Sequence, residues 1–251
     1  MESLTTYLPN FLFILLRAGI VLSLVPFFSS ELFPPMFRIG MAVAISLVLT
    51  PVVEFHVATP EIPIVVFREI LFGMAFGLAA RFVFYAVDMA GQLMSNASGL
   101  SIATAFNPEI GQSSELSRIF GIIAMLIFLA MDIHHDVIYV FVKSYEWLPA
   151  GSALSAGSLV TLTVSFVTKM FIIALKISAP VVISMLIANV VLGFVYKAAP
   201  QINIFFLATP VYIFLGFLIM MISIPAFAYV AGGLFSSTKD EIGNVIMLLK
   251  G

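Results

Sequence analysis

The chain has 251 residues, 62% of them hydrophobic and only 10% charged, against about 25% charged in ordinary globular domains. A soluble core of this size cannot hide that much apolar surface, so the expected class is an all-α integral membrane protein. A formal net charge of -2 leaves no electrostatic footprint for nucleic acid, and zero cysteines exclude disulfides, a thiol nucleophile and thiolate metal sites.

A spanning helix needs about 20 mostly apolar residues, and the pattern predicts about six hydrophobic helical segments. The first covers 7–28. The chain begins MES without a basic n-region, and Arg17 interrupts the apolar run, so no cleavable signal is expected. The second covers 37–53, after Pro34-Pro35, and the third covers 62–87, beside Pro60 and Pro63. The fourth covers 119–142. The fifth, 159–196, follows Pro149 and Gly151, and the sixth, 202–234, follows Pro200; Gly and Pro are the strongest local punctuators. No charged residue occurs from 198 to 238. As one helix that stretch would be roughly 60 Å long, twice a hydrocarbon core of ~30 Å. Kinks or breaks are therefore expected at Pro210, Gly216, Pro225 and Gly232-Gly233, and at Pro180 in the preceding segment.

Basic residues are scattered through the loops (Arg38, Arg118, Lys143, Lys197) and assign no orientation. Arg17, Arg68, Arg81, Lys169 and Lys176 lie within or at the edge of apolar segments, where facing lipid is costly. Each either snorkels or faces protein.

Between Asp88 and Arg118 the composition changes to DMAGQLMSNASGLSIATAFNPEIGQSSELSR, rich in small residues, amides and hydroxyls. Polar, glycine-rich backbone at membrane depth is tolerated only where it is buried in protein or faces a watery cavity. At 100° per residue, Gly73, Gly77, Arg81, Tyr85, Asp88, Gln92, Ser95, Asn96 and Gly99 share one helix face, with Phe76, Phe82, Val83, Leu93, Met94 and Leu100 opposite. A continuous helix would carry this stripe for about 40 Å. Such a stripe suits a helix lining a conduit or a subunit joint; it also suits an amphipathic helix packed on the chain's own neighbours. Downstream, Phe106-Asn107-Pro108-Glu109-Ile110-Gly111-Gln112-Ser113-Ser114 breaks the helix at Pro108 and Gly111. It reads as a plug or re-entrant element or as a solvated connection; Glu109, Glu115 and Arg118, at home in water, favour the connection.

Asp132, His134, His135 and Asp136 have the residue types of a metal cluster. Successive helical positions point about 100° apart, so the two histidines are expected to diverge and form a polar helix end, with no metal site. No P-loop, GxSxG or HExxH is present, and no serine has a neighbouring His–acid pair, so neither catalysis nor a cofactor is expected.

Two stretches carry a resemblance. Gly99-Leu-Ser-Ile-Ala-Thr-Ala-Phe-Asn-Pro108, with Gly111, Leu116 and Phe120, is similar to the G-x-S-x-A-x-x-x-(D/N)-P region of the flagellar biosynthetic protein FliR family, which includes the equivalent component of virulence type III secretion systems. Ala174-Leu-Lys-Ile-Ser-Ala-Pro180, Asn189, Leu192-Gly193, Lys197-Ala-Ala-Pro-Gln-Ile-Asn203 and Pro210 resemble that family's second signature, A-L-x-x-x-x-P … L-G … (R/K)-x-x-P-Q-x-N … P. Lys197 stands where Arg is common in the family, which keeps the charge but weakens bidentate pairing. The likeness runs essentially end to end.

The resemblance implies a subunit of a helical hetero-oligomeric export gate in the bacterial inner membrane at the flagellar basal body. Its partners would be FliP and FliQ, with FlhB and FlhA nearby, membrane lipid, and unfolded export substrates in transit. It implies one membrane-embedded domain over 1–251, FliP-like over about 1–150 and FliQ-like over about 151–251. It makes 106–114 the loop that helps close the channel, reversing the preference stated above for a connection. In such an assembly the stripe through Gly73, Gly77, Arg81, Asp88, Gln92, Asn96 and Gly99, read above as a conduit lining or subunit joint, is expected to pack against subunits. Lys197, Pro200, Gln201 and Asn203 would form a turn facing the cytoplasmic entrance. The competing class is a small-solute or proton-coupled transporter using Glu69 or Asp88 as a protonatable site, with hinges at Pro180, Pro210 and Pro225; a third is a scaffold without lumen contact.

Overall fold

The structure is a computed structural model and describes residues 2–29, 33–53, 62–100, 115–149, 152, 156–199, 201 and 204–250. Among the described residues every regular element is helical: α1 (Glu2–Leu24), α2 (Pro26–Ser29), α3 (Pro35–Leu49), α4 (Ile62–Ala97), α5 (Glu115–Ala130), α6 (Ile133–Trp147), α7 (Ala156–Ala198), α8 (Ile204–Ser236) and α9 (Thr238–Lys250). The all-α membrane class follows from the sequence and holds in the structure. By length and apolarity four stretches suffice to cross a membrane: Tyr7–Leu24, Ile62–Ala97, Gly157–Ala198 and Ala208–Leu249. A fifth arises if the bent pair Leu116–Ala130 and Ile133–Trp147 forms one span. With α3, a shorter apolar helix of 15 residues that at about 22 Å falls short of a ~30 Å core, these are the about six hydrophobic segments expected, not all of them long enough to span.

Two other expectations change. The fourth segment is not one helix: it bends by 69° between α5 and α6, where Asp132 sits in the left-handed region at φ 56°. Asp is one of the few non-glycine residues that visit that region routinely. Conversely, the prolines do not end their helices. Helix α7 continues for 43 residues through Pro180, and α8 for 33 residues through Pro210 and Pro225. In lipid the alternative to a helix is unsatisfied backbone, so an imperfect helical turn costs less than a break.

The chain clusters into two compact units. The first comprises Met1–Phe82, Leu129–Val167 and Phe235–Gly251. Within it α1 and α4 run parallel. The clearance at Gly73 is set by Ile20 and that at Gly77 by Leu24, so the register advances together along both helices. Helix α6 runs antiparallel to them: Ser144 lies beside Arg17, Phe141 meets Phe76 edge-on with ring centroids 6.0 Å apart, and His134 lies near Phe27. Helix α3 returns along α1, with the Asn10 amide donating to the Val53 carbonyl at 3.4 Å. Helix α9 packs on α6, where a Cβ added at Gly243 would lie 3.9 Å from the Trp147 ring.

The second unit comprises Val83–Phe128 and Thr168–Leu234. Here α5 packs antiparallel on the end of α4, through Phe84–Phe128 and a hydrogen bond from the Ser117 hydroxyl to the Asp88 carbonyl. Helices α7 and α8 form a hairpin. Asn189 accepts a 2.5 Å hydrogen bond from the Tyr212 hydroxyl, and Met185 lies against Gly216. Both pairs are equidistant in sequence from a point between 200 and 201, so the two helices pair in register about the segment that joins them.

Candidate functional site

Helix α4 is continuous from Ile62 to Ala97, so the predicted stripe exists as one helix face, but it has two halves. Gly73 and Gly77 are buried and serve the close approach of α1. A Cβ added at Gly73 would lie 3.1 Å from the Ile20 side chain, and one at Gly77 would lie 2.6 Å from Leu24. This is the small-xxx-small geometry by which membrane helices pack without a side-chain spacer. From Arg81 onward most of the stripe reaches the surface: Arg81 and Asp88 are half-buried, Tyr85, Gln92 and Asn96 are exposed, and Ser95 stays buried. Gln92 donates from its amide to the Asp88 carboxylate at 2.9 Å, one helical turn away. Opposite, Phe76, Phe82, Val83 and Met94 are buried, and Leu93 and Leu100 are half-buried.

The end of α4 is set by Gly99, at φ 73°. The Leu100 amide donates to the Ser95 carbonyl and the Gly99 amide to the Asn96 carbonyl, the paired bonds of a Schellman cap that needs a left-handed residue at this position. Gly99 therefore terminates the stripe helix. Two further close approaches, which the sequence stripe does not include, surround this end. A Cβ at Gly91 would collide with the Ser117 backbone, and one at Gly216 would meet the Ser98 hydroxyl at 2.7 Å.

The loop Phe106 to Ser114 lies outside the described residues, as do Pro200 and Asn203. Of the predicted turn, Lys197 is exposed in the last helical turn of α7, where a cation complements the helix dipole, and Gln201 is an exposed turn residue.

The most concentrated chemistry was not resolved by sequence reasoning. Arg17 and Glu69 are each 1% exposed. The guanidinium donates from Nε to one Glu69 oxygen at 2.5 Å and from Nη2 to the other at 2.9 Å, with Nη1 3.3 Å from the Ser144 hydroxyl. It also lies between the rings of Phe72 and Tyr145, at 4.3 and 4.2 Å from their centroids. Burying a charge is costly unless it is paired and hydrogen-bonded. The two-pronged fork and the two aromatic faces are the strongest available compensations. The node ties α1, α4 and α6 together one turn before Gly73. The sequence signal was the spacing of Glu69, Gly73 and Gly77 at i, i+4 and i+8, which puts the carboxylate on the glycine face. Of the five cations in apolar segments, Arg17 faces protein; Arg68, Arg81 and Lys169 are half-buried and Lys176 is exposed.

The expected divergence of the two histidines does not occur. Their ring centroids are 4.1 Å apart at 37°, and His135 Nδ1 is 3.6 Å from an Asp132 oxygen. The 100° rule describes Cα–Cβ directions, whereas rotamers in the first turn after the bend swing both rings to one side. Asp136 instead meets Lys239 at 3.4 Å.

The family described as bacterial export proteins, family 1, matches residues 8–238. The flagellar biosynthetic protein FliR of Bacillus subtilis is 26% identical over 259 aligned positions, covering 99% of each chain. That of Aquifex aeolicus is 31% identical, covering 80% of this chain and 79% of its own. The secretion system apparatus protein SsaT of Salmonella typhimurium is 28% identical over 62% of this chain and 61% of its own. The match spans both glycine-lined approaches of α4 and the whole α7–α8 hairpin, and the chain belongs to the bacterial export protein family of the FliR type.

Proposed function

We propose that this chain is a membrane subunit of a type III export gate, assembling with FliP and FliQ around a channel for unfolded flagellar substrates. In this reading 106–114 contributes to closure, and the Lys197–Gln201 tip with Pro200 and Asn203 faces the cytoplasmic entrance near FlhB and FlhA. The assembly sits in the inner membrane at the flagellar basal body, with 1–150 the FliP-like part and 151–251 the FliQ-like part. The observation that carries the reading is the family match over 8–238, which takes in every residue assigned a role here. Two features support it. The apolar windows of the last two spans are only 28% and 17% buried within the chain, leaving long faces for lipid or neighbouring subunits. The exposed Gln92 and Asn96 face of α4 offers hydrogen bonds that suit a joint or a lumen better than lipid.

The test is co-expression of the tagged chain with FliP and FliQ, mild extraction and native mass spectrometry. A discrete hetero-oligomer containing this chain is the expected result. A lone monomer or homodimer, with folded partners present, refutes the assembly. Photo-crosslinking from Asn107 or Gly111 to a stalled substrate then tests the closure role separately.

A further inference from the structure

We propose that Asp132, His134 and His135, at the bend between α5 and α6, form a binding site for a divalent transition-metal ion such as Zn²⁺. Each residue offers one ligand atom, and the three atoms lie within 4.8 Å of one another. That spread exceeds the separation of two ligands on one ion held at about 2.0–2.2 Å. The Asp132 and His135 side chains are 73% and 71% exposed, so they close the remaining distance by rotamer changes that disturb no packing. His134 is half-buried against the Phe27 ring, 5.8 Å away, and supplies the fixed arm.

The donor set selects the ion. Two imidazole nitrogens and one carboxylate oxygen suit zinc, nickel or copper. Magnesium and calcium call for all-oxygen shells and are poorly served. Three protein ligands leave a fourth position for water or for a group from another chain, the open arrangement of zinc sites that are not purely structural. The dipole of α6 opposes a cation at its N-terminus; the Asp132 carboxylate, held at the N-cap in the left-handed conformation, offsets that by supplying both a ligand and a negative charge. Asp136 lies outside the set because it is engaged by Lys239, whose ammonium also sits 4.8 Å over the Tyr139 ring. A bound ion links the N-cap residue to the first turn of α6 and so fastens the start of that helix.

The experiment uses the full chain carrying a non-histidine affinity tag, stripped with chelator in detergent and titrated with ZnCl₂ by calorimetry. Cobalt substitution adds a visible absorption readout of the ligand field. Saturable uptake of one ion per chain is expected. It should weaken at least about tenfold, the scale on which even outer partners of a metal matter, in His134→Gln and in His135→Gln, and stay unchanged in Asp136→Asn. Exposed His135 gives a variant that leaves the fold intact, checked by circular dichroism. No saturable uptake by the parent chain, or undiminished uptake in the double variant His134→Gln/His135→Gln, which retains His56, overturns the assignment.

Discussion

Replacing Glu69 by Gln is the most informative single perturbation. The amide keeps the shape but removes the negative charge, and it presents an N–H where one of the two Arg17 bonds, at 2.5 and 2.9 Å, needs an acceptor. Arg17, 1% exposed, is then a buried cation without a counter-charge, left with one amide oxygen, the Ser144 hydroxyl and two ring faces. Breaking a buried pair from one side costs about 3–5 kcal/mol. That is a large share of a total stability of about 5–15 kcal/mol, and at about 1.4 kcal/mol per decade it shifts the folding equilibrium by roughly 10²–10⁴. Removing both charges together with Arg17→Met/Glu69→Leu should recover at least about 2 kcal/mol of that loss, because apolar replacement of a whole buried pair is close to neutral. Ser144 stays satisfied in the double variant, since its hydroxyl already donates to the Phe141 carbonyl at 2.6 Å. The assay is thermal unfolding in detergent followed by far-ultraviolet circular dichroism, alongside the amount of chain in membranes. A Glu69→Gln variant as stable as the parent, or a double variant as damaged as the single, refutes the claim that this pair holds α1, α4 and α6 together.

The glycines of α4 should rank by what a Cβ would meet: Gly91→Ala worst, against the Ser117 backbone; Gly77→Ala next, against Leu24 at 2.6 Å; Gly73→Ala milder, at 3.1 Å; and Gly121→Ala in α5 silent, with nothing within 4 Å. The first two should cost about 1–3 kcal/mol in the same unfolding assay, and four equal values would contradict glycine-mediated packing. Gly99→Val should cost at least about 1–2 kcal/mol through its positive φ, and Gly99→Asn distinctly less; equal losses would mean the left-handed cap does not form. Gly111→Asp, or deletion of 107–112, should raise ion leak through membranes containing the assembled complex, and unchanged conductance would count against a closing role for that loop.

The sequence made the membrane class and the α4 stripe legible, because composition carries the first and periodicity the second. At Asp132 the sequence showed a polar helix end but not the bend, because the turn rests on one residue taking a positive φ between the apolar Met131 and Ile133. Pro180, Pro210 and Pro225 were read as kinks or breaks; the helices run on through all three, because open backbone in lipid costs more than an imperfect turn. Arg17 was flagged as out of place, but its partner lies 52 residues away, and no local pattern joins them. The stripe's two halves, one packed and one exposed, look identical as a wheel projection and separate only when α1 is present.

The Arg17–Glu69 pair also imposes an order on biogenesis. Arg17 is synthesised 52 residues before its counter-ion, which at about 5–20 residues per second is an interval of about 3–10 s. During that time α1 carries an unneutralised guanidinium, worth about 2.5–3.5 kcal/mol against insertion at a helix centre. The first helix is thus a reluctant entrant that is retained in the bilayer once α4 arrives, and Ser144 and Tyr145 close over the pair later still. A chain truncated before residue 69 should therefore integrate poorly, while one extended through α4 should integrate firmly.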